Sequence, residues 1–240
     1  MILKKIKILR KKFKQYDIDG YIIPKNDEYF SEYAKNDRLK NITGFSGSAG
    51  FAVVLKKQNY LFVDGRYTIQ AHQQSSKNFK IIEINKKLPH TIIKNFNLGY
   101  DPKLFTSKLL SKYFINNNLV SIDKNLIDQI FRFKEKHTKP FYSLDKKIVG
   151  EAYGSKISKV VRFLKNNKAD YCFISAPENV AWLLNIRGYD NPNSPIANAR
   201  LILNKKKKLF LIAKENNLKN LLLDKKIKKK QILPIKSLPQ

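Results

Sequence analysis

The chain has 240 residues, enough for one large or two ordinary domains that each bury a core. A hydrophobic share of 42% with 12% aromatic residues argues against disorder, and no run approaches the roughly 20 apolar residues that a bilayer span needs. The net charge of +29 comes almost wholly from lysine spread along the chain, with seven arginines, whereas nucleic-acid readout favours clustered arginine.

Asn, Ile and Lys are abundant together, so the charge reads first as compositional drift. A polyanion partner is the alternative, and its binding would fall steeply with salt. The single cysteine, Cys172, lies in the apolar run Tyr171-Cys172-Phe173-Ile174, excludes an internal disulfide and suits a reducing compartment. Residues 1–14 alternate Lys with Ile, Leu and Phe, which predicts an amphipathic first helix and not a secretory signal. The cytoplasm is the expected location.

In chain order, a helix ending near Tyr16 precedes a buried strand in Asp19-Gly20-Tyr21-Ile22-Ile23-Pro24. After a short helical stretch, the glycine-rich segment Thr43-Gly44-Phe45-Ser46-Gly47-Ser48-Ala49-Gly50 leads into a hairpin with strands at 51–55 and 60–63. Val63-Asp64-Gly65-Arg66-Tyr67 then opens a helix over 68–74. Strands at 80–84 and 98–100, a helix over 106–116, a strand at 119–122 and a helix over 125–133 complete an α/β layered domain with a mixed sheet.

The second half repeats the opening of the first. A helix over 156–166 precedes Ala169-Asp170-Tyr171-Cys172-Phe173-Ile174, then a polar turn, a helical stretch and Ile186-Arg187-Gly188-Tyr189. A hairpin with a lysine-rich turn follows, as Lys56-Lys57-Gln58-Asn59 does in the first half. A period this long means two sequential domains, not a solenoid. The expected division is a first domain over 1–145, a linker over 146–155 and a second domain over 156–240. The second copy lacks counterparts of the first copy's last strands and helix, so it is expected to be incomplete.

Gly44, Gly47 and Gly50 superficially suggest a phosphate loop, but they open a strand instead of a helix and no Gly-Lys-Ser/Thr follows. They are read as tight-turn glycines. His72, His90 and His137 stand at no metal-ligand spacing, and no Ser-His-Asp or Cys-His set is defensible, so neither a catalytic residue nor a metal ligand is assigned. Cys172 is read as inert packing in a buried strand. Asp64 is a helix cap, and Arg66 either its salt-bridge partner or a contact to a neighbouring subunit or peptide. Trp182 and Arg187 are either core or interface anchors.

In order and spacing, the glycine-rich turn, the hairpin and Asp64-Gly65-Arg66-Tyr67 resemble the N-terminal domain of the creatinase and aminopeptidase P family. Ile174-Ser175-Ala176-Pro177-Glu178-Asn179-Val180-Ala181-Trp182-Leu183-Leu184-Asn185-Ile186-Arg187-Gly188 is similar to the second-domain signature of the long, three-domain Xaa-Pro aminopeptidases, which are M24-type metallopeptidases. Asn125-Leu126-Ile127-Asp128-Gln129-Ile130 also fits, although the family usually has Trp where Phe131 stands.

The resemblance implies two tandem creatinase-N-like, ribonuclease H-like domains, the second truncated. It implies that the pita-bread catalytic domain, with two divalent metals (commonly manganese), lies beyond this chain. It further implies a cytosolic enzyme, a homodimer, and peptides with proline second as substrates reached through that domain. Asp64, Arg66, Tyr67, Trp182 and Arg187 are then candidate cleft or interface residues. A stand-alone peptide- or protein-binding module and a lysine-rich polyanion binder are the alternatives; a membrane partner is not expected, nor is nucleic acid beyond charge attraction.

Overall fold

In the computed structural model, which describes residues 2–31, 34–131, 133, 139–191 and 193–235, the chain divides into two compact units, 1–134 and 135–240.

The first unit opens with α1 (Ile2–Phe13), whose 3.6-residue periodicity places Ile6, Leu9 and Phe13 in the core and the lysines outward. Next come β1 (Gly20–Pro24), α2 (Arg38–Thr43), β2 (Gly50–Leu55), β3 (Asn59–Val63), α3 (Thr68–Ser75) and β4 (Lys80–Glu83). The unit closes with α4 (Pro89–Ile92), β5 (Asn97–Tyr100), α5 (Ser107–Phe114), β6 (Asn118–Ser121) and α6 (Leu126–Ile130). The sheet runs β4-β3-β2-β1-β5-β6, antiparallel within β1-β2-β3 and parallel at the other pairings. Both faces are covered. Leu9, Phe13, Tyr21, Ile23, Val54 and Leu61 share one core, and Ile22, Val53, Phe62, Leu110 and Phe114 share the other. This is why β1 and β2 read as continuous apolar runs.

The second unit contains β7 (Tyr142–Ser143), α7 (Lys146–Val149), α8 (Tyr153–Asn166), β8 (Tyr171–Ile174), α9 (Pro177–Leu184) and β9 (Ile186–Arg187). After these come β10 (Arg200–Asn204), β11 (Leu209–Ile212), α10 (Lys219–Leu223) and β12 (Ile232–Leu233). Its main sheet runs β12-β11-β10-β8, while β7 and β9 form a separate pair. Ile157 and Val161 of α8 and Val180, Leu183 and Leu184 of α9 pack with Leu201, Leu203 and Leu211.

The repeat holds strand for strand: β8, β10, β11 and β12 keep the pairing senses of β1, β2, β3 and β4. The α/β reading with mixed sheets stands, and two sequence expectations differ from the structure. The division falls before residue 145, because Phe141 is fully buried in the second unit's core and Tyr142–Ser143 pairs with Ile186–Arg187. The residues expected as a linker are α7 and the first turn of α8. In addition, β8 is not buried on both sides: Tyr171 and Phe173 are exposed on one face, Cys172 on the other is half-buried, and β8 is the edge of its sheet among the described residues.

Candidate functional site

The two segments singled out in the first half form one corner of the first unit. Gly44 ends α2 at φ 85°, a left-handed conformation natural to glycine, and its N–H donates to the Lys40 carbonyl. Gly50 starts β2 at φ 147°, where a Cβ would lie 2.7 Å from the Phe62 carbonyl oxygen, so neither position tolerates a side chain without strain. Between them, the Ser46 N–H donates to Gln74 Oε1 (2.9 Å), and Ser46 Oγ accepts from the amides of Gln70 (2.9 Å) and Gln74 (3.0 Å). The loop is thereby clamped to α3.

On the other side of the corner, Asp64 caps the short 3-10 turn Gly65–Tyr67. Its Oδ1 accepts from the Arg66 backbone N–H (3.0 Å) and from Arg66 Nε (2.8 Å). These bonds, the side-chain one first, hold the Asp64 carboxyl below the usual carboxylate range. Tyr67 joins the two halves: its hydroxyl lies 2.8 Å from Ser48 Oγ, and its ring meets Phe45 edge-on at 5.9 Å. The Arg66 guanidinium, 73% exposed, lies 5.6 Å from the Tyr67 ring. This corner can orient a carbonyl or carboxylate. Its one carboxylate, that of Asp64, is already bonded to the Arg66 guanidinium.

In the second unit, Trp182 and Arg187 gather at the C-terminal end of α9. Asn185 stops that helix in the left-handed conformation (φ 51°), and its side-chain amide donates to the Glu151 carbonyl (2.8 Å). Arg187 Nη1 donates to the carbonyls of Ala181 (3.4 Å) and Ile186 (2.8 Å). Trp182 is 56% exposed, so of its two sequence readings it is a surface residue and not core. Beneath it, buried Lys156 donates to the Trp182 carbonyl (2.9 Å) and to Asn185 Oδ1 (2.7 Å), with its ammonium 4.2 Å from the indole ring. Lys226 donates to the Asn185 carbonyl (3.2 Å), and burial lowers its pKa. Tyr142 and Tyr189 add a ring pair at 5.3 Å.

Lys156 and Asn185 were missed as site residues. Signals for both exist in the sequence: Asn185 follows an apolar helical run, and Lys156 sits on the helix face of Ile157, Val161 and Leu164. Lysines in such stripes usually extend their charge to water, whereas this one is turned inward by the Trp182 carbonyl and Asn185 Oδ1. Asp64, Arg66 and Tyr67 belong to the first unit and Trp182 and Arg187 to the second.

Among the described residues, no three His, Cys, Asp or Glu side chains converge to hold a metal ion. His72 is exposed on α3, and His137 lies outside the described residues. The donor set therefore does not fit a di-metal centre. No helix of the described residues is long and apolar enough to cross a membrane.

Two mixed α/β units in tandem, with a glycine-clamped corner in the first, define the architecture. Two family models, both described as the creatinase/prolidase N-terminal domain, match residues 5–130 and 133–238, and the chain belongs to that family. Over 209 residues it is 33% identical to a probable Xaa-Pro aminopeptidase P of Laccaria bicolor, and over 220 residues 34% identical to Xaa-Pro aminopeptidase 1 of Dictyostelium discoideum. These alignments cover 78% and 81% of this chain but 32% and 35% of the relatives, so the chain spans about a third of their length. Among solved structures, the X-prolyl aminopeptidase of Caenorhabditis elegans, described as a cytosolic enzyme with a di-nuclear active site, matches 99% of this chain and 43% of its own. That match has a TM-score of 0.84 at 27% identity.

Proposed function

We propose that the chain is the non-catalytic N-terminal part of a Xaa-Pro aminopeptidase, whose metal-dependent reaction removes the first residue from peptides with proline second. One observation supports this above others: both units, in order, superpose on one X-prolyl aminopeptidase over 99% of the chain. The di-metal centre, commonly manganese in this family, is supplied by a further catalytic domain. In this reading the protein acts in the cytosol as a homodimer, and its two units shape the peptide cleft. Arg66 and Tyr67 in the first unit and Trp182 and Arg187 in the second are the contact residues, with Asp64 holding Arg66 in place. A guanidinium on a preformed corner, as Arg66 is, suits peptide carbonyls and carboxylates. The proposed domain limits follow the units, 1–134 and 135–240.

The test is hydrolysis of an Xaa-Pro peptide by the purified 240-residue chain with added manganese. No turnover is expected. Metal-dependent turnover that co-purifies with the chain and disappears with chelator would overturn this division of labour.

A further inference from the structure

The first unit's sheet has ends of opposite charge. Asp27, Asp64, Glu83 and Asp101 stand where β1, β3, β4 and β5 finish. The end where those strands begin is rimmed by lysines that the fold gathers from three segments. On α1 the buried stripe is Ile6, Leu9 and Phe13, so Lys4, Lys7, Ile8 and Lys11 form the outward ridge, and the helix has no acidic residue. Arg10 ties α1 to the β2–β3 turn: its Nε donates to the Leu55 carbonyl (2.8 Å) and its Nη2 to Asn59 Oδ1 (3.0 Å). Lys57 of that turn thus joins Lys7 and Lys14, which lie one turn to either side of Arg10. The Asn59 amide donates to the Asn78 carbonyl (2.9 Å), which adds Lys77 and Lys80 to the rim.

The acids in these segments are Asp17 and Asp19, and Asp19 is paired with Lys56 (2.6 Å). Lys7, Lys11, Lys14, Lys57, Lys77 and Lys80 are exposed or rim-facing without an ion pair among the described residues. Drift in composition adds lysine everywhere, but it does not sort charges between the two ends of a sheet.

We propose that this lysine rim is a peripheral docking surface for an anionic phospholipid bilayer, with Leu3 and Ile8 of α1 entering the headgroup layer. Lysine clusters on a helix surface suit anionic headgroups, and aliphatic side chains among them suit the headgroup–acyl boundary. Leu3 is 59% and Ile8 37% exposed. Nucleic acid fits less well. The rim's arginine, Arg10, is committed to the hairpin, which leaves no guanidinium fork for phosphate or base, and the exposed apolar side chains on α1 offer no ring for base stacking. No membrane span is needed for such a contact. The Arg66 corner lies at the other end of the sheet, so docking and peptide contact do not compete.

The test is co-sedimentation of the full 240-residue chain with vesicles of two parts phosphatidylcholine to one part phosphatidylserine, beside vesicles of phosphatidylcholine alone. Binding to the anionic vesicles only is expected, and it should weaken as salt rises. A lysine at such a surface contributes about fivefold in affinity, so Lys7→Gln, Lys11→Gln and Lys57→Gln together should weaken binding about a hundredfold. The circular dichroism spectrum should not change. Lys87→Gln, Lys103→Gln and Lys124→Gln remove the same charge beyond the opposite end of the sheet and should leave binding nearly unchanged. Ile8→Gln should weaken it several-fold. No binding to the anionic vesicles would overturn the proposal, as would an Ile8→Gln chain that binds as before. Equal losses from the two triple variants would assign binding to net charge and not to the rim. Single-stranded DNA that binds through the rim lysines more tightly than the vesicles, at equal phosphate, would give the surface to nucleic acid. Either result also refutes it.

Discussion

Replacing Lys156 by Met tests whether a buried ammonium at the end of α9 holds the second unit together. The ammonium makes two hydrogen bonds, to the Trp182 carbonyl and to Asn185 Oδ1, and lies 4.2 Å from the indole ring. Charge-assisted hydrogen bonds contribute about 1.5–3 kcal/mol each, and a desolvated cation–π contact about 2 kcal/mol. These terms share one atom and do not add. Methionine fills the same volume and needs no desolvation of a charge, which returns part of the loss. The expected net cost is about 3 kcal/mol, a large share of the 5–15 kcal/mol typical of a domain. Trp182 is the chain's only tryptophan and touches the substituted side chain, so urea unfolding followed by its fluorescence reads this unit directly. The midpoint should fall while the slope stays unchanged. A cost below about 1 kcal/mol would refute the reasoning, because α9's terminal carbonyls would then be satisfied without the lysine.

Two further outcomes follow from the first unit. Buried Arg38 binds Asp128 through two hydrogen bonds (2.8 and 2.7 Å), and its Nη1 has no partner among the described residues. Asp128→Ala strands a buried charge and should cost about 3 kcal/mol; Arg38→Met removes that charge and should cost less, a ranking that denaturant midpoints decide. Burial raises the pKa of both Asp27 and Asp101, so in the folded state each binds its proton more tightly than in the unfolded state. The stability they contribute is present in acid, below the unfolded value near 4, and is lost as pH rises through the raised value. Asp101→Asn should therefore narrow the difference between urea midpoints at pH 4 and pH 7, and an unchanged difference would contradict the assignment.

Local pattern was enough for most elements of the first unit. Apolar runs bounded by Gly, Pro and Asn marked β1, β2 and β3, and the 3.6-residue stripe marked α1. Asp64 as a cap was legible for the same reason: the bond joins residues two apart in sequence. The order of elements also exposed the duplication, since each copy repeats a helix, an Asp and a strand at similar spacing.

What required the tertiary structure were contacts between residues far apart in sequence. Tyr171-Cys172-Phe173-Ile174 has the composition of a buried strand, yet half of it faces outward, because burial depends on the neighbouring layer and not on the run itself. Phe141 falls in the expected first domain by sequence, yet it is buried in the second unit's core, next to the pairing of Tyr142 and Ser143 with Arg187 and Ile186. The inward turn of Lys156 is set by carbonyls 26 and 29 residues away. Sequence by itself determined the elements and their duplication, because propensity and periodicity act over a few residues. Only the folded chain decided which faces are covered and which polar groups are satisfied, because those energies arise between segments that the backbone alone does not join.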